Sequence, residues 1–259
     1  MALVQDRCIC LRKVEYSETS QILTLFAREH GLLRVIAKGA HRRTKVGASK
    51  FGGGLDLLDV GDAVFSHAPE RDLPPLTEWT LCDGLLELRG NLRAIYLGSY
   101  AAELVLSLIE EHDPHPALFD RLLAVLGDLS TPRLEQGFLA FELGLLRETG
   151  YAPHLQSCVA CGGKLDERER TFISPTRGGA ICRNCEGATP DRNEIDPRLL
   201  RLACNLLRME RLPQLTRHQT DPLNQMLARH IEHALSRRLR MPQYILNGRA
   251  KHVSEIKRG

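Results

Sequence analysis

The chain has 259 residues, 43% of them hydrophobic and 5% aromatic, and carries a formal net charge of +3. That length and apolar fraction accommodate two or three modules with ordinary cores, and no run near twenty apolar residues exists to span a membrane. Met1–Cys10 shows no basic segment leading into an apolar run, so the expectation is a soluble, unprocessed, cytoplasmic protein with no membrane partner. Eight cysteines in that setting read as reduced thiols or metal ligands rather than disulfides. The net charge is too small to name a nucleic-acid partner, so the distribution of charge matters more than its sum.

From Leu3 to about Leu76, short apolar runs alternate with turn residues. Strands are expected over Val4–Val14, Gln21–Arg28, Leu32–Lys38, Leu55–Leu58 and Ala63–His67, with Glu29-His30-Gly31 forming a tight hairpin. Strand number alone leaves an OB-type barrel, an SH3-like barrel and an open sheet in play, with the OB type leading. After Leu81 the period turns helical: Leu97, Ala101, Leu104 and Leu108 share a face. A helix from Pro132 to Thr149 is capped by Thr131 and stopped by Gly150. Asp196-Pro197 opens another through Met209, and Asp221-Pro222 a last one through Arg240. The fold class read here is α+β and multidomain. A barrel over residues 1–80 precedes a helical domain over 81–150 and 190–245, a cysteine-bearing insertion occupies 151–189, and a basic tail covers 246–259.

Cys158-x2-Cys161 and Cys182-x2-Cys185 are separated by twenty residues, a spacing suited to a two-knuckle tetrahedral zinc site. Gly162, Gly163, Gly178 and Gly179 are expected beside the knuckles, where amides approach the sulfurs. The segment has little apolar content, and one structural zinc ion would supply the missing core. Four thiolates leave no open position, which argues against a catalytic metal. A zinc deaminase needs a Pro before its Cys-x2-Cys, and Ser157 and Ile181 stand there instead. Cys8, Cys10, Cys82 and Cys204 read as small buried hydrophobes, and the pairs His112/His115 and His230/His233 as surface or capping residues. No phosphate-cradling loop, nucleophile elbow, metalloprotease helix or dinucleotide fingerprint is present, and no catalytic residue is assigned.

Arg34, Lys38, Arg42, Arg43, Lys45 and Lys50 form a stretch without an intervening acid. Contact with DNA phosphates and a merely solvated loop are equally good accounts of such a run. Phe51 beside it reads as a core anchor. Arg237, Arg238, Arg240, Arg249, Lys251, Lys257 and Arg258 give a second basic region.

Tyr16-Ser17-Glu18-Thr19-Ser20, Gly31 through Val35, and Ala37-Lys38-Gly39-Ala40 leading to Arg42-Arg43 resemble the amino-terminal signature of the bacterial RecO family. Gly150-Tyr151-x-Pro153-x-Leu155-x2-Cys158-x2-Cys161-Gly162, with Phe172 and Gly178-Gly179-x2-Cys182-x2-Cys185, resembles its zinc-bearing members. His41 stands where the family often has a basic residue. The resemblance spans roughly residues 1–190. It implies an OB fold, a helical domain with a zinc insertion, and a recombination mediator that binds single- and double-stranded DNA and anneals strands without ATP. The implied partners are RecR, RecF, single-strand-binding protein and, indirectly, RecA. By position, Lys38 and Arg42 are the first candidates for DNA contact, followed by Arg34, Arg43, Lys45 and Lys50. A zinc-ribbon and OB-type RNA-binding or transcription factor without annealing activity is the alternative, and an adaptor for acidic protein surfaces is a third class.

Overall fold

The computed structural model describes residues 2–40, 51, 55–67, 73–206, 208–209 and 211–246. These fall into two compact units, one ending at Ser130 and one beginning at Thr131.

The first unit contains β1 (Ala2–Ser17), β2 (Ser20–Ala27), β3 (Gly31–Lys38), β4 (Val60–His67) and β5 (Leu76–Asp83), all antiparallel in the order β3-β2-β1-β4-β5. β1 is long enough to serve two neighbours. Its first half pairs with β4 from Ala2↔His67 to Ile9↔Val60, and its second with β2 from Cys8↔Ala27 to Ser17↔Ser20. A bulge between Cys10 and Arg12 falls in the second pairing, where the extra residue sharpens the twist. Closure comes at the other side: the Ile36 N–H donates to the Pro74 carbonyl at 3.0 Å, and Ile36 bridges Pro75 in parallel, bringing β3 beside the start of β5. The result is a barrel of OB type.

Alternation explains its core. Leu23 and Leu25, Leu33 and Val35, Phe65, Leu76 and Trp79 point inward together with Cys8 and Cys10. Each large side chain so buried is worth about 1.5–3 kcal/mol. Burial pushes the Cys10 thiol up to about 12, so it stays a neutral, small hydrophobe as expected.

Two expectations for this unit fail. Leu55–Leu58 is not a strand: Leu58 has φ 69° and donates its N–H to the Cys10 carbonyl at 2.7 Å within a turn. The fifth strand is β5, whose signal is broken by a bulge. Glu78 pairs with Val64 while Leu76 pairs with Phe65, so Thr77 is the extra residue and the buried Leu76 and Trp79 stand three apart, a helical spacing. Cys82 lies further along β5 and is exposed, not a buried hydrophobe.

The β2–β3 hairpin turns at Arg28-Glu29-His30 with Gly31 at φ 71°, where a Cβ would come within 2.3 Å of the Asp113 carbonyl oxygen. α1 (Leu86–Arg89), α2 (Leu92–Leu108) and α3 (Pro116–Asp128) complete the unit. Asn91 caps α2 through the amides of Arg93 and Ala94, and Leu97, Ala101 and Leu104 are buried as their spacing predicts. α3, which opens with Pro116 in its first turn, places Phe119 against Phe26 at 5.7 Å and Asp120 under the Arg28 guanidinium at 2.7 and 2.9 Å.

The second unit comprises α4 (Leu134–Glu148), β6 (Thr171–Ser174), β7 (Gly179–Cys182), β8 (Asn193–Ile195), α5 (Pro197–Leu206), α6 (Arg217–Ala234) and α7 (Pro242–Leu246). α4 starts two residues later than expected, because the Thr131 hydroxyl accepts the Arg133 N–H at 3.1 Å and holds a preceding turn. α5 opens as read, with the Asp196 carboxylate accepting the Arg198 N–H at 2.8 Å, and ends at Leu206 rather than Met209. α6 begins at Arg217 instead of Asp221: Thr216 and Gln219 form a capping box, which outweighs the loss of one backbone donor at Pro222 inside the helix. It ends at Ala234, short of Arg240, where Ser236 turns to φ 52°. Among the described residues, no helix is long and apolar enough to cross a membrane.

Candidate metal centre and nucleic-acid interface

Backbone hydrogen bonds assemble the four cysteines before any metal is considered. The Cys158 N–H donates to the Gly163 carbonyl at 2.9 Å and the Gly162 N–H returns to the Cys158 carbonyl at 2.8 Å, closing a turn with Gly162 at φ 73°. The Gly163 N–H points at Cys161 Sγ, 3.4 Å away. A second set binds this knuckle to β7: Val159 N–H to the Ala180 carbonyl at 2.9 Å, Ala180 N–H to the His154 carbonyl at 2.8 Å, and His154 N–H to the Gly178 carbonyl at 2.9 Å. Cys182 ends β7, and Cys185 follows in a short 3-10 helix, Arg183–Ala188.

The four Sγ atoms all lie within 4.8 Å of one another, and Cys161 and Cys182 are 3.8 Å apart. Zinc–thiolate bonds of about 2.3 Å in a tetrahedron put sulfurs about 3.8 Å apart, so the donor set fits such an ion, whereas a disulfide needs about 2.05 Å. All eight cysteines are free thiols. Burial pushes the Cys158 thiol up, but the amides of Cys182, Cys161 and Ala160 outweigh it and bring it down to about 6. Cys185, whose hydrogen bonds run to Cys182 and Cys161, is pushed up to about 12, and Cys182 is raised by burial and by Cys158. One negative sulfur is thus solvated by amides while its neighbours resist ionising beside it; a dication removes that conflict.

The module also has structure that its composition conceals. β7, β6 and β8 form a three-stranded sheet, and Cys158, Phe172 and Ile181 bury together beneath Val159 and Leu165. Arg170 and Arg192 lie 5.1 and 5.9 Å from the Phe172 ring centre. Gly178 and Gly179 do not belong to the second knuckle. Gly178 turns the β6–β7 hairpin, and Gly179 begins β7 so close to the first knuckle that a Cβ would lie 2.3 Å from the His154 carbonyl oxygen. Asp191 ties that hairpin together by accepting from the Ser174 and Thr176 hydroxyls and the Thr176 amide; burial opposes these bonds, and the carboxyl nonetheless falls below its usual range.

Of the other sequence candidates, Arg34 and Lys38 occupy outward positions of β3 and are exposed. Arg42, Arg43, Lys45 and Lys50 lie outside the described residues. The residues flanking them, Ala40 and Phe51, are both buried in the barrel core, so Phe51 is the anchor its lone aromatic character suggests. Arg237, Arg238 and Arg240 are exposed beyond α6, and Arg249, Lys251, Lys257 and Arg258 lie outside the described residues. His230 is buried, not a surface residue: it donates from Nε2 to the Tyr151 carbonyl at 2.8 Å, and burial lowers its pKa. Cys204 is half-buried. Arg12, which nothing in the linear sequence sets apart, pairs with Thr24 on β2, and Thr24 pairs in turn with Arg34.

The family model described as Recombination protein O N terminal matches residues 1–85, and that described as Recombination protein O C terminal matches residues 89–242. The chain belongs to the RecO family. Relatives named DNA repair protein RecO include one from Anaeromyxobacter dehalogenans strain 2CP-C, 33% identical over 249 residues that cover 92% of this chain and 93% of the relative. Another, from Anaeromyxobacter sp. strain Fw109-5, is 36% identical over 70% of this chain and 69% of its own. A third, from Rhodopirellula baltica, is 36% identical over 68% and 65%. The two RecO family matches follow one another along the chain, with the barrel strands in the first and the cysteine module in the second.

Proposed function

We propose that this chain is a DNA repair and recombination mediator of the cytoplasm that binds single- and double-stranded DNA without sequence preference and anneals complementary strands without ATP. In this reading it acts with RecR, and with RecF, to help load RecA onto DNA coated with single-strand-binding protein. Membership of the RecO family is the observation that carries the reading. The exposed cations Arg34 and Lys38, followed in the sequence by Arg42, Arg43, Lys45 and Lys50, supply its chemistry. Cationic side chains on two strands screen phosphate repulsion and release counterions, and annealing asks for no reacting group beyond that. Residues 1–80 are the DNA-binding part, 81–150 with 190–245 the helical scaffold, 151–189 the metal module and 246–259 a basic tail.

Cys158, Cys161, Cys182 and Cys185 are proposed to hold one structural zinc ion. Bound there, the ion supplies cross-linking of the two knuckles and no chemistry on DNA, since four thiolates complete its coordination. The test is annealing of complementary oligonucleotides coated with single-strand-binding protein. Acceleration by the protein is expected; an unchanged rate, together with salt-insensitive DNA binding, removes the mediator reading.

A further inference from the structure

The four cysteines of the module do not face solvent equally. Cys158 is 1% exposed, and its sulfur accepts from the amides of Cys182, Cys161 and Ala160. Cys182 and Cys185 are half-buried, whereas Cys161 is exposed. It stands between Ala160 and Gly162, both exposed, so no bulky chain neighbour covers it. Gly163 keeps a further approach open, since a Cβ there would lie 3.2 Å from Cys161 Sγ. One sulfur of the set is therefore open to a small reagent from solvent.

A second sulfur is held within reach of it. Cys161 Sγ and Cys182 Sγ are 3.8 Å apart, and the backbones that carry them are tied by the bond from the Val159 N–H to the Ala180 carbonyl at 2.9 Å. Pairing with Thr171 fixes Cys182 at the end of β7. A disulfide needs about 2.05 Å, so the sulfurs must close by about 1.8 Å, less than the swing of a sulfur between χ1 rotamers. An accessible thiolate with a second one poised beside it is the arrangement on which peroxides act. The apolar cluster beneath has only Cys158, Phe172 and Ile181 as buried members, so the order of the module depends on its sulfurs remaining donors.

We propose that the cysteine module is a peroxide-responsive site in which Cys161 is oxidised first and Cys182 resolves it to a disulfide between the two knuckles, with loss of the metal. The proposal rests on the zinc reading above and adds the order in which the sulfurs react. In the first step the Cys161 thiolate attacks one oxygen of hydrogen peroxide: an S–O bond forms, the O–O bond breaks and hydroxide leaves. The sulfur is oxidised by two electrons and the peroxide is reduced by two. In the second step the Cys182 thiolate attacks the sulfenic sulfur of Cys161: the S–S bond forms, the S–O bond breaks and a second hydroxide leaves. A site left with two of its four thiolates no longer closes a tetrahedron, and the ion dissociates. A dithiol reductant, which supplies two electrons, reverses the change when zinc is present.

The test treats the full, zinc-loaded chain with hydrogen peroxide, follows free zinc with a chromogenic chelator and maps disulfides by peptide mass spectrometry after alkylation. One zinc ion released per Cys161–Cys182 bond is expected, and both changes revert with dithiothreitol and zinc. Cys161→His keeps four donors, because three cysteines and a histidine also bind zinc, but it removes the open sulfur, and release is expected to slow about tenfold or more. Cys185→His keeps both reacting sulfurs and is expected to release zinc within about twofold of the wild-type rate. Equal rates in the two histidine variants overturn the proposal. So does a wild-type disulfide that omits Cys161 or joins it to Cys158 or Cys185, and so does zinc that stays bound through the treatment. The wild-type map decides the matter if a histidine variant fails to take up metal. A chain that is purified without zinc and takes up none when reduced overturns the zinc reading itself, an outcome distinct from the others.

Discussion

The barrel and the cysteine module meet the same requirement by different means. In the barrel, fifteen buried residues among those described, drawn from all five strands and their flanks, form one apolar cluster, enough to order the sheet without help. In the module the corresponding cluster has three members, Cys158, Phe172 and Ile181, and one of these is itself a candidate ligand. A core of that size cannot by itself offset the entropy of fixing about forty residues, at about 1–2 kcal/mol each for the backbone. The difference teaches that β structure alone does not certify a stable core: both regions have antiparallel sheets, but only one has the buried area to sustain them.

Removing the proposed zinc ion attacks the module where it is weakest and should have the largest effect. Structural zinc contributes an apparent binding energy on the order of 10–16 kcal/mol in small zinc peptides. Cys158→Ser is therefore expected to reduce metal content from one ion per chain toward none and to expose residues 151–189 to protease while the barrel remains resistant. Mass spectrometry and limited proteolysis check this, and unchanged metal content would remove Cys158 from the ligand set. The converse change, Trp79→Ala, empties the barrel core at a cost of about 3–5 kcal/mol. Denaturant melts should show the loss, and metal content should stay at one ion if the two regions are energetically separate.

A smaller effect is expected at the basic segment. Lys38→Ala combined with Arg42→Ala should lower the salt slope of single-strand binding by about 1.4 and leave the melting curve unaltered. An unaltered slope would take this segment out of the DNA-contacting surface.

The smallest effect concerns His230. Its Nε2 proton goes to the Tyr151 carbonyl, its Nδ1 has no partner, and burial lowers its pKa from the ordinary 6.5. The unfolded chain takes up this proton first as pH falls, so the cost is absent above the unfolded pKa and grows as pH drops from about 6.5 through the lowered folded value. A thermal midpoint measured from pH 7.5 to 5 should fall less in His230→Gln than in wild type. Parallel slopes would show that His230 does not carry the acid sensitivity.

Much of this was legible in the linear sequence. The hairpin at Glu29-His30-Gly31, the inward alternation of Leu23 and Leu25, the stripe of α2 and the two Cys-x2-Cys knuckles all depend on neighbours within a few residues, and local spacing reports them faithfully. β5 was not legible, because the extra residue at Thr77 shifts its buried positions to a helical spacing. The start of α6 was misplaced because Asp221-Pro222 is a strong local signal, and the Thr216–Gln219 box overrides it. Cys82 and His230 exchanged their expected environments for the same reason: burial is a property of the partner across the sheet or bundle, not of the residue type.

By itself the sequence determined the alternating and helical periods, the ligand types and their spacing, and the excess of positive charge after β3, since each is written in short-range order. Only the tertiary structure decided that Gly179 is needed for close approach to His154, that Cys158 and Cys182 meet through the bonds of Val159 and Ala180, and that Arg12 lies in one row with Arg34. Those are contacts of strand register, and register depends on where bulges and turns place each strand against its neighbour, which no local spacing records.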